Sequence, residues 1–208
     1  MTTRWTLPNL LGLFRLAITP VLVALVLLSF PGGGLLAFVL FVPAALSDLF
    51  DGWLARARGQ VTTLGVFLDL TADKVLVTAV LIALAQAGLA AAWIVIVIVV
   101  RELVVAGVRQ LAANAQLLVA SEGLGKAKTV VTLVAIGALL IAFDARTGGP
   151  LATIGIGPLA HVTGGWLLVT AMILAVMSGI DYLVKAWPIL SAEGQTEDDA
   201  AKEAPRPT

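Results

Sequence analysis

The chain has 208 residues, of which 60% are hydrophobic and 12% charged, and its thirteen basic and thirteen acidic residues cancel. Soluble globular domains run at roughly 45–50% apolar and about 25% charged. This composition, with a mean hydropathy of +1.03, therefore excludes a soluble fold and points to an all-α polytopic membrane protein. The absence of cysteine excludes disulfide frameworks and thiolate-held metals, the unbroken apolar runs exclude a transmembrane β-barrel, and the balanced charge gives no reason to expect a nucleic-acid partner.

About twenty apolar residues cross a hydrocarbon core, and six stretches qualify. The first runs from Leu10 to Phe30 and ends at Pro31-Gly32-Gly33-Gly34. It is too long for a signal-peptide core and carries Arg15 inside it, so it is read as a retained helix. The second covers Leu35 to Ala57, the third Gly65 to Ala87, the fourth Leu89 to Ala113, the fifth Gly125 to Phe143 and the sixth His161 to Trp187. Gly and Pro mark most of the breaks. Residues 1–190 form one membrane domain on this reading. Residues 191–208, rich in Glu, Asp, Ala and Pro, are expected to be a disordered tail.

With six spans, every basic residue except Arg146 falls on the side of the N terminus. The positive-inside rule makes that side cytoplasmic, and an even number of spans places both termini there. Trp5, Trp53 and Trp187 then lie toward one interface, Trp93 and Trp166 toward the other. His161, Asp144 and Arg146 sit on the far side, and Asp181 is spaced to pair with Lys185.

Four acidic residues carry the chemistry. Asp48 and Asp51 stand three apart near the end of the second helix, Asp69 and Asp73 four apart near the start of the third. Those spacings put each pair on one helix face, so two antiparallel helices with a short connection can aim four carboxylates at one point. Each carboxylate costs about 2.5–3.5 kcal/mol in a membrane helix, and four together repel one another. An oxygen-only donor set with no His or Cys nearby suits Mg²⁺ or Mn²⁺, and four acids suit two ions, the arrangement used for phosphoryl displacement.

The segment Asp48-Leu-Phe-Asp51-Gly52-Trp-Leu-Ala55-Arg56, then eight residues, then Gly65-Val-Phe-Leu-Asp69-Leu-Thr-Ala-Asp73 matches each fixed position of D-x2-D-G-x2-A-R-x8-G-x3-D-x3-D. In this the chain resembles the CDP-alcohol phosphotransferase family, membrane enzymes that displace CMP from a CDP-linked donor with an alcohol. The likeness extends over about residues 5–190. Thr6-Leu-Pro8-Asn9 through Arg15, Ala72-Asp73-Lys74, Arg101-Glu102, Gly107-Val-Arg109 and Gly125-Lys126-Ala-Lys128-Thr129 resemble the branch whose acceptor is glycerol 3-phosphate. Gly12 and Leu70 depart from that branch, where Thr and Pro are usual.

The resemblance implies the following. CDP-diacylglycerol is the donor and glycerol 3-phosphate the acceptor, in a bacterial cytoplasmic membrane. Asp48, Asp51, Asp69 and Asp73 are the metal ligands, and Asp73 is also the base that takes the acceptor's hydroxyl proton. Asn9, Gly52, Ala55, Arg56 and Gly65 are the nucleotide side of the site, and the protein is a homodimer among membrane lipids. Gly52 and Gly65 permit close approach of a nucleotide, or serve plain helix packing. A dianionic acceptor needs cations, and Arg101, Arg109, Lys126 and Lys128 are the candidates. Arg101 beside Glu102 also fits a structural ion pair. Branches that make cardiolipin or phosphatidylinositol phosphate are the alternatives within the family. An ion or metal transporter is the alternative outside it, though no inverted repeat is evident.

Overall fold

The computed structural model describes the backbone of residues 7–58, 63–114 and 123–203, and the side chains of residues 10–47, 71–112, 123 and 125–187. Among the described residues the elements are all helical. They are α1 (Leu7–Leu27), α2 (Gly33–Arg58), α3 (Thr63–Gln86), α4 (Ala92–Asn114), α5 (Gly123–Arg146) and α6 (Gly157–Glu203), with a short 3-10 helix over Pro150–Ile154 ahead of α6. Each helix contains one of the six apolar runs, with ends displaced by a few residues. The larger difference lies in α6, which continues through 191–203 where the composition suggested disorder. Ala, Glu and Gln are strong helix formers, and extending an existing helix avoids the nucleation cost that keeps an isolated segment unstructured.

Among the described residues three segments are long and apolar enough to cross a membrane, Leu10–Leu27, Gly125–Arg146 and Gly157–Trp187, and the described part of α2 adds an apolar stretch over Gly33–Ser47. Arg101, Glu102 and Arg109 interrupt the apolar run of α4. The outer surface carries large apolar side chains in the open, with Leu103 at 65% and Trp166 at 70% exposure. Such a surface needs lipid around it, and the protein is a membrane protein.

The turns between α1 and α2, α3 and α4, and α5 and α6 gather at one end of the bundle. Arg146 donates to the carbonyl of Ala87 there. Gly88, with φ +72, lets the Leu89 N–H return to the Leu84 carbonyl at 2.9 Å and close α3. Asp144, fully buried, accepts from the backbone N–H of Leu35 at 3.0 Å and of Leu151 at 3.0 Å. One side chain thus satisfies an orphan donor in the first turn of α2 and fixes the chain leaving α5. Glycine is required beside it. A Cβ on Gly34 would lie 2.4 Å from the Asp144 backbone nitrogen and 2.7 Å from the Leu140 carbonyl oxygen.

Below this cap lies an apolar core of Leu22, Val26, Phe41, Leu81, Leu84, Ile136, Leu140 and Phe143, all fully or almost fully buried. Helix α5 packs chiefly on α6 and also meets α2 and α3. Helix α4 flanks α6, and α1 lies against α2 and α3. The half of the bundle with the turns is therefore apolar beneath its Asp144 and Arg146 contacts, and Arg15 of α1, Asp73 and Lys74 of α3, Arg101, Glu102 and Arg109 of α4 and Lys126 and Lys128 of α5 lie toward the other half.

Hydrogen bonds to a charged group are each worth about 1.5–3 kcal/mol, so Asp144→Ala should lower stability by about 3 kcal/mol. Gly34→Ala should be destabilising by about 1–3 kcal/mol, because backbone rather than a movable side chain stands in the way. Thermal unfolding in detergent checks both. Unchanged midpoints would show that the cap does not hold the bundle end.

Candidate active site

Asp48, Asp51, Gly52, Ala55 and Arg56 lie in the last turns of α2, and Gly65, Asp69 and Asp73 in the first turns of α3. Residues 59–62 connect them. Both helices have their other ends at the Asp144 cap, since α2 starts there and α3 finishes there, so they run antiparallel. The helical register sets Gly65, Asp69 and Asp73 on one face of α3, and Asp48, Asp51, Gly52, Ala55 and Arg56 on successive turns of α2. Asn9 is in the first turn of α1. The side chains of Asn9, Asp48, Asp51, Gly52, Ala55, Arg56, Gly65 and Asp69 lie outside the described residues. Among the described residues no group of three or more His, Cys, Asp and Glu comes together, and of the four aspartates only Asp73 belongs to that set. As a donor set, four carboxylates and no nitrogen or sulfur suit hard divalent cations.

Asp73 is partly buried and interacts electrostatically with Lys74. Lys74 in turn feels Glu102, Arg109 and Lys128. This joins the acidic end of α3 to the cations of α4 and α5 in one charged layer.

Within that layer Arg101 is firmly held. Its Nε donates to the carbonyl of Ala175 at 2.9 Å, one terminal nitrogen to Ser178 Oγ at 2.8 Å and the other to Glu102 Oε1 at 2.7 Å. Three of the five guanidinium donors are therefore spent on α6 and on the neighbouring carboxylate. The α6 side of this contact is built for a long side chain, since a Cβ at Gly179 would come 3.1 Å from Arg101 Cγ. Glu102 Oε1 also accepts from Lys128 Nζ, so one oxygen carries two cations from two helices.

Arg109, eight residues after Arg101, faces the same helix. Its guanidinium carbon stands 5.6 Å from the ring centroid of Tyr182, a cation–π contact. Lys126 is exposed near the start of α5, and Lys128 is buried. Farther along α6, Lys185 and Asp181 form the i,i+4 pair at 2.9 Å, as their spacing implied.

Sequence spacing alone missed several of these partners. Arg15 stands out as a charge inside an apolar run, but not its complete burial or the hydrogen bond from its Nε to Ser47 Oγ at 2.9 Å. That bond ties α1 to α2 one residue before Asp48. Ser178, Gly179 and Tyr182 have no charge signature. Their only sequence signal is a small, polar and aromatic set on one face of an apolar helix.

The sequence model of the CDP-alcohol phosphatidyltransferase family matches residues 5–177. The chain belongs to this family. It is 36% identical over 198 residues to a CDP-diacylglycerol–glycerol-3-phosphate 3-phosphatidyltransferase of Bacillus subtilis, covering 89% of this chain and 97% of that protein. A probable phosphatidylglycerophosphate synthase of Mycobacterium tuberculosis is 37% identical over 186 residues, 86% of this chain and 81% of that one. A chloroplastic/mitochondrial 3-phosphatidyltransferase of Arabidopsis thaliana is 35% identical over 199 residues, 89% of this chain and 64% of that protein. The family works with divalent metal ions, in keeping with the carboxylate-only donor set.

Removing Arg101 deletes three hydrogen bonds and leaves Glu102 with one cation. Breaking a buried ion pair from one side costs about 3–5 kcal/mol; with Arg101 and Glu102 still 14% and 21% exposed, the low end applies. Arg101→Ala should therefore lower stability by about 3 kcal/mol, and Arg101→Lys should recover only part, since a point charge cannot reproduce the fork. Melting curves of the two variants test this, and an unshifted midpoint for Arg101→Ala would refute the clamp.

Proposed function

We propose that this chain transfers the phosphatidyl group of CDP-diacylglycerol to glycerol 3-phosphate, giving phosphatidylglycerophosphate and CMP. The observation that carries this reading is the full acidic motif on α2 and α3 in a chain that matches the Bacillus subtilis 3-phosphatidyltransferase over 97% of that protein's length.

Asp48, Asp51, Asp69 and Asp73 are the residues that would hold two Mg²⁺ or Mn²⁺ ions. When bound, such ions neutralise the diphosphate and polarise the β-phosphorus. Gly52 and Gly65 leave room for the nucleotide against the two helices, Asn9 and Ala55 line its approach, and Arg56 offers a guanidinium fork to phosphate. The acceptor hydroxyl forms a new bond to the β-phosphorus as the bond to the CMP oxygen breaks. Asp73 receives the hydroxyl proton as that bond forms, since a carboxylate among cations is too weak a base to act earlier.

The acceptor's phosphate is held on the other side of Asp73 by Arg109, Lys126 and Lys128, with the two Arg101 donors outside its three protein bonds. Lys74, Arg101, Arg109 and Lys128 against Asp73 and Glu102 leave this layer two positive charges in excess, the complement of a phosphate monoester dianion. Lys126 adds a further cation at its edge.

All six helices span the bilayer on this reading, with both termini on the cytoplasmic side of a bacterial membrane. Support comes from the distribution of Lys and Arg and from the gathering of three turns at the opposite end. The active form is a homodimer.

Release of CMP from CDP-diacylglycerol by purified protein with Mg²⁺ should require glycerol 3-phosphate. Phosphatidylglycerol or inositol phosphate in its place should give no more than background. Asp73→Asn should lose turnover, about 10²–10⁴-fold for a lost general base, and keep most of its donor binding. Turnover with phosphatidylglycerol alone would overturn the acceptor, and near-normal turnover by Asp73→Asn would overturn the base.

A further inference from the structure

Lys128 is 8% exposed on a flexible four-carbon stem, and a side chain of that kind loses much rotamer freedom when it is fixed. What fixes it is Glu102. The same oxygen that accepts from Lys128 accepts from Arg101, and Arg101 is anchored on the Ala175 carbonyl and Ser178 hydroxyl of α6. A line of contacts therefore runs from the backbone of α6, through Arg101 and Glu102 on α4, to the ammonium of Lys128 on α5. The ammonium at its end lies in the layer that also holds Lys74, Arg109 and Asp73.

We infer that Glu102 is a positioning residue for the acceptor: its carboxylate presets the Lys128 ammonium for the acceptor's phosphate by bridging it to the Arg101 clamp. The inference rests on the acceptor site proposed above. It differs from a purely electrostatic role in sign. An anion among phosphate-binding cations weakens anion binding through its charge alone, so its removal would tighten acceptor binding. A positioning carboxylate does the opposite, because without it Lys128 must be ordered at the moment of binding.

The test is a set of variants in detergent-solubilised full-length protein, with glycerol 3-phosphate and CDP-diacylglycerol varied in turn. Lys128→Ala should raise the acceptor KM roughly 10- to 150-fold, the worth of one charge-assisted hydrogen bond. Glu102→Gln should raise it about two- to twelvefold, the equivalent of immobilising one long side chain on binding. It should leave the KM for CDP-diacylglycerol unchanged. Glu102→Asp keeps the charge but is one methylene shorter, and should show the same rise. In the Lys128→Ala background, Glu102→Gln should add nothing, since Glu102 acts through Lys128.

A merely structural role would lower the melting temperature and leave the acceptor KM of the surviving protein alone. An unchanged or lowered acceptor KM in Glu102→Gln, while Lys128→Ala still raises it, would overturn the positioning role and leave the acceptor site standing. Additive effects in the double variant would also overturn it. If Lys128→Ala and Arg109→Ala both keep a normal acceptor KM, the acceptor site itself is elsewhere and the inference falls with it.

Discussion

Charge in an apolar medium is the constraint on which this structure turns. A bilayer supplies no water to an ionised group in its core, so each charge must find a partner within the protein. Asp144 finds two backbone N–H groups and becomes the latch of one end of the bundle. Arg101 and Lys128 find Glu102 and tie α4, α5 and α6 together. Arg15, buried in α1, finds the Ser47 hydroxyl and joins α1 to α2 beside the acidic motif. For the aspartates of α2 and α3 the proposed partners are divalent cations, which suit a set of carboxylates.

This division explains the two tiers of the bundle. The half with the turns is packed with Leu, Val and Phe and closed by the Asp144 cap. It gives the helices fixed starting points, and their other ends carry the charged residues from there. On the proposed function, donor and acceptor meet different chemistry. The acidic motif suits a diphosphate delivered with divalent cations, and the Arg–Lys layer suits a free phosphate monoester. Asp73 ends the acidic motif on α3 and interacts with Lys74, the next residue on its own helix, which in turn feels Glu102, Arg109 and Lys128. On the proposed mechanism this is the carboxylate that receives the acceptor's hydroxyl proton.

Much of this was legible in the sequence, for physical reasons. Long apolar runs broken by Gly and Pro have few alternatives to membrane helices, so α1 to α5 fell close to their expected limits. The acidic motif was legible because carboxylates in such runs are costly and their spacing follows the helical repeat. Partners distant along the chain were not legible. Leu35 and Asp144 are 109 residues apart, and Arg101 and Ser178 are 77 apart. Nothing local in the sequence announces either bond. The orientation of Arg101 was open between phosphate and ion pair, and the ion pair with Glu102 exists alongside a clamp on α6 that no spacing rule suggests. The extension of α6 to Glu203 was missed because low hydrophobicity speaks against a packed core, not against a helix that has already started.

The central claim is that the aspartates of α2 and α3 form a single site that binds divalent cations. Titration of the purified, substrate-free protein with Mn²⁺, followed by the electron paramagnetic resonance signal of the free ion, measures this directly. The account predicts two ions taken up per chain, displaced by Mg²⁺, with uptake lost in Asp48→Asn and Asp69→Asn alike because the two helices contribute to one site. Undiminished Mn²⁺ uptake in both variants would contradict it.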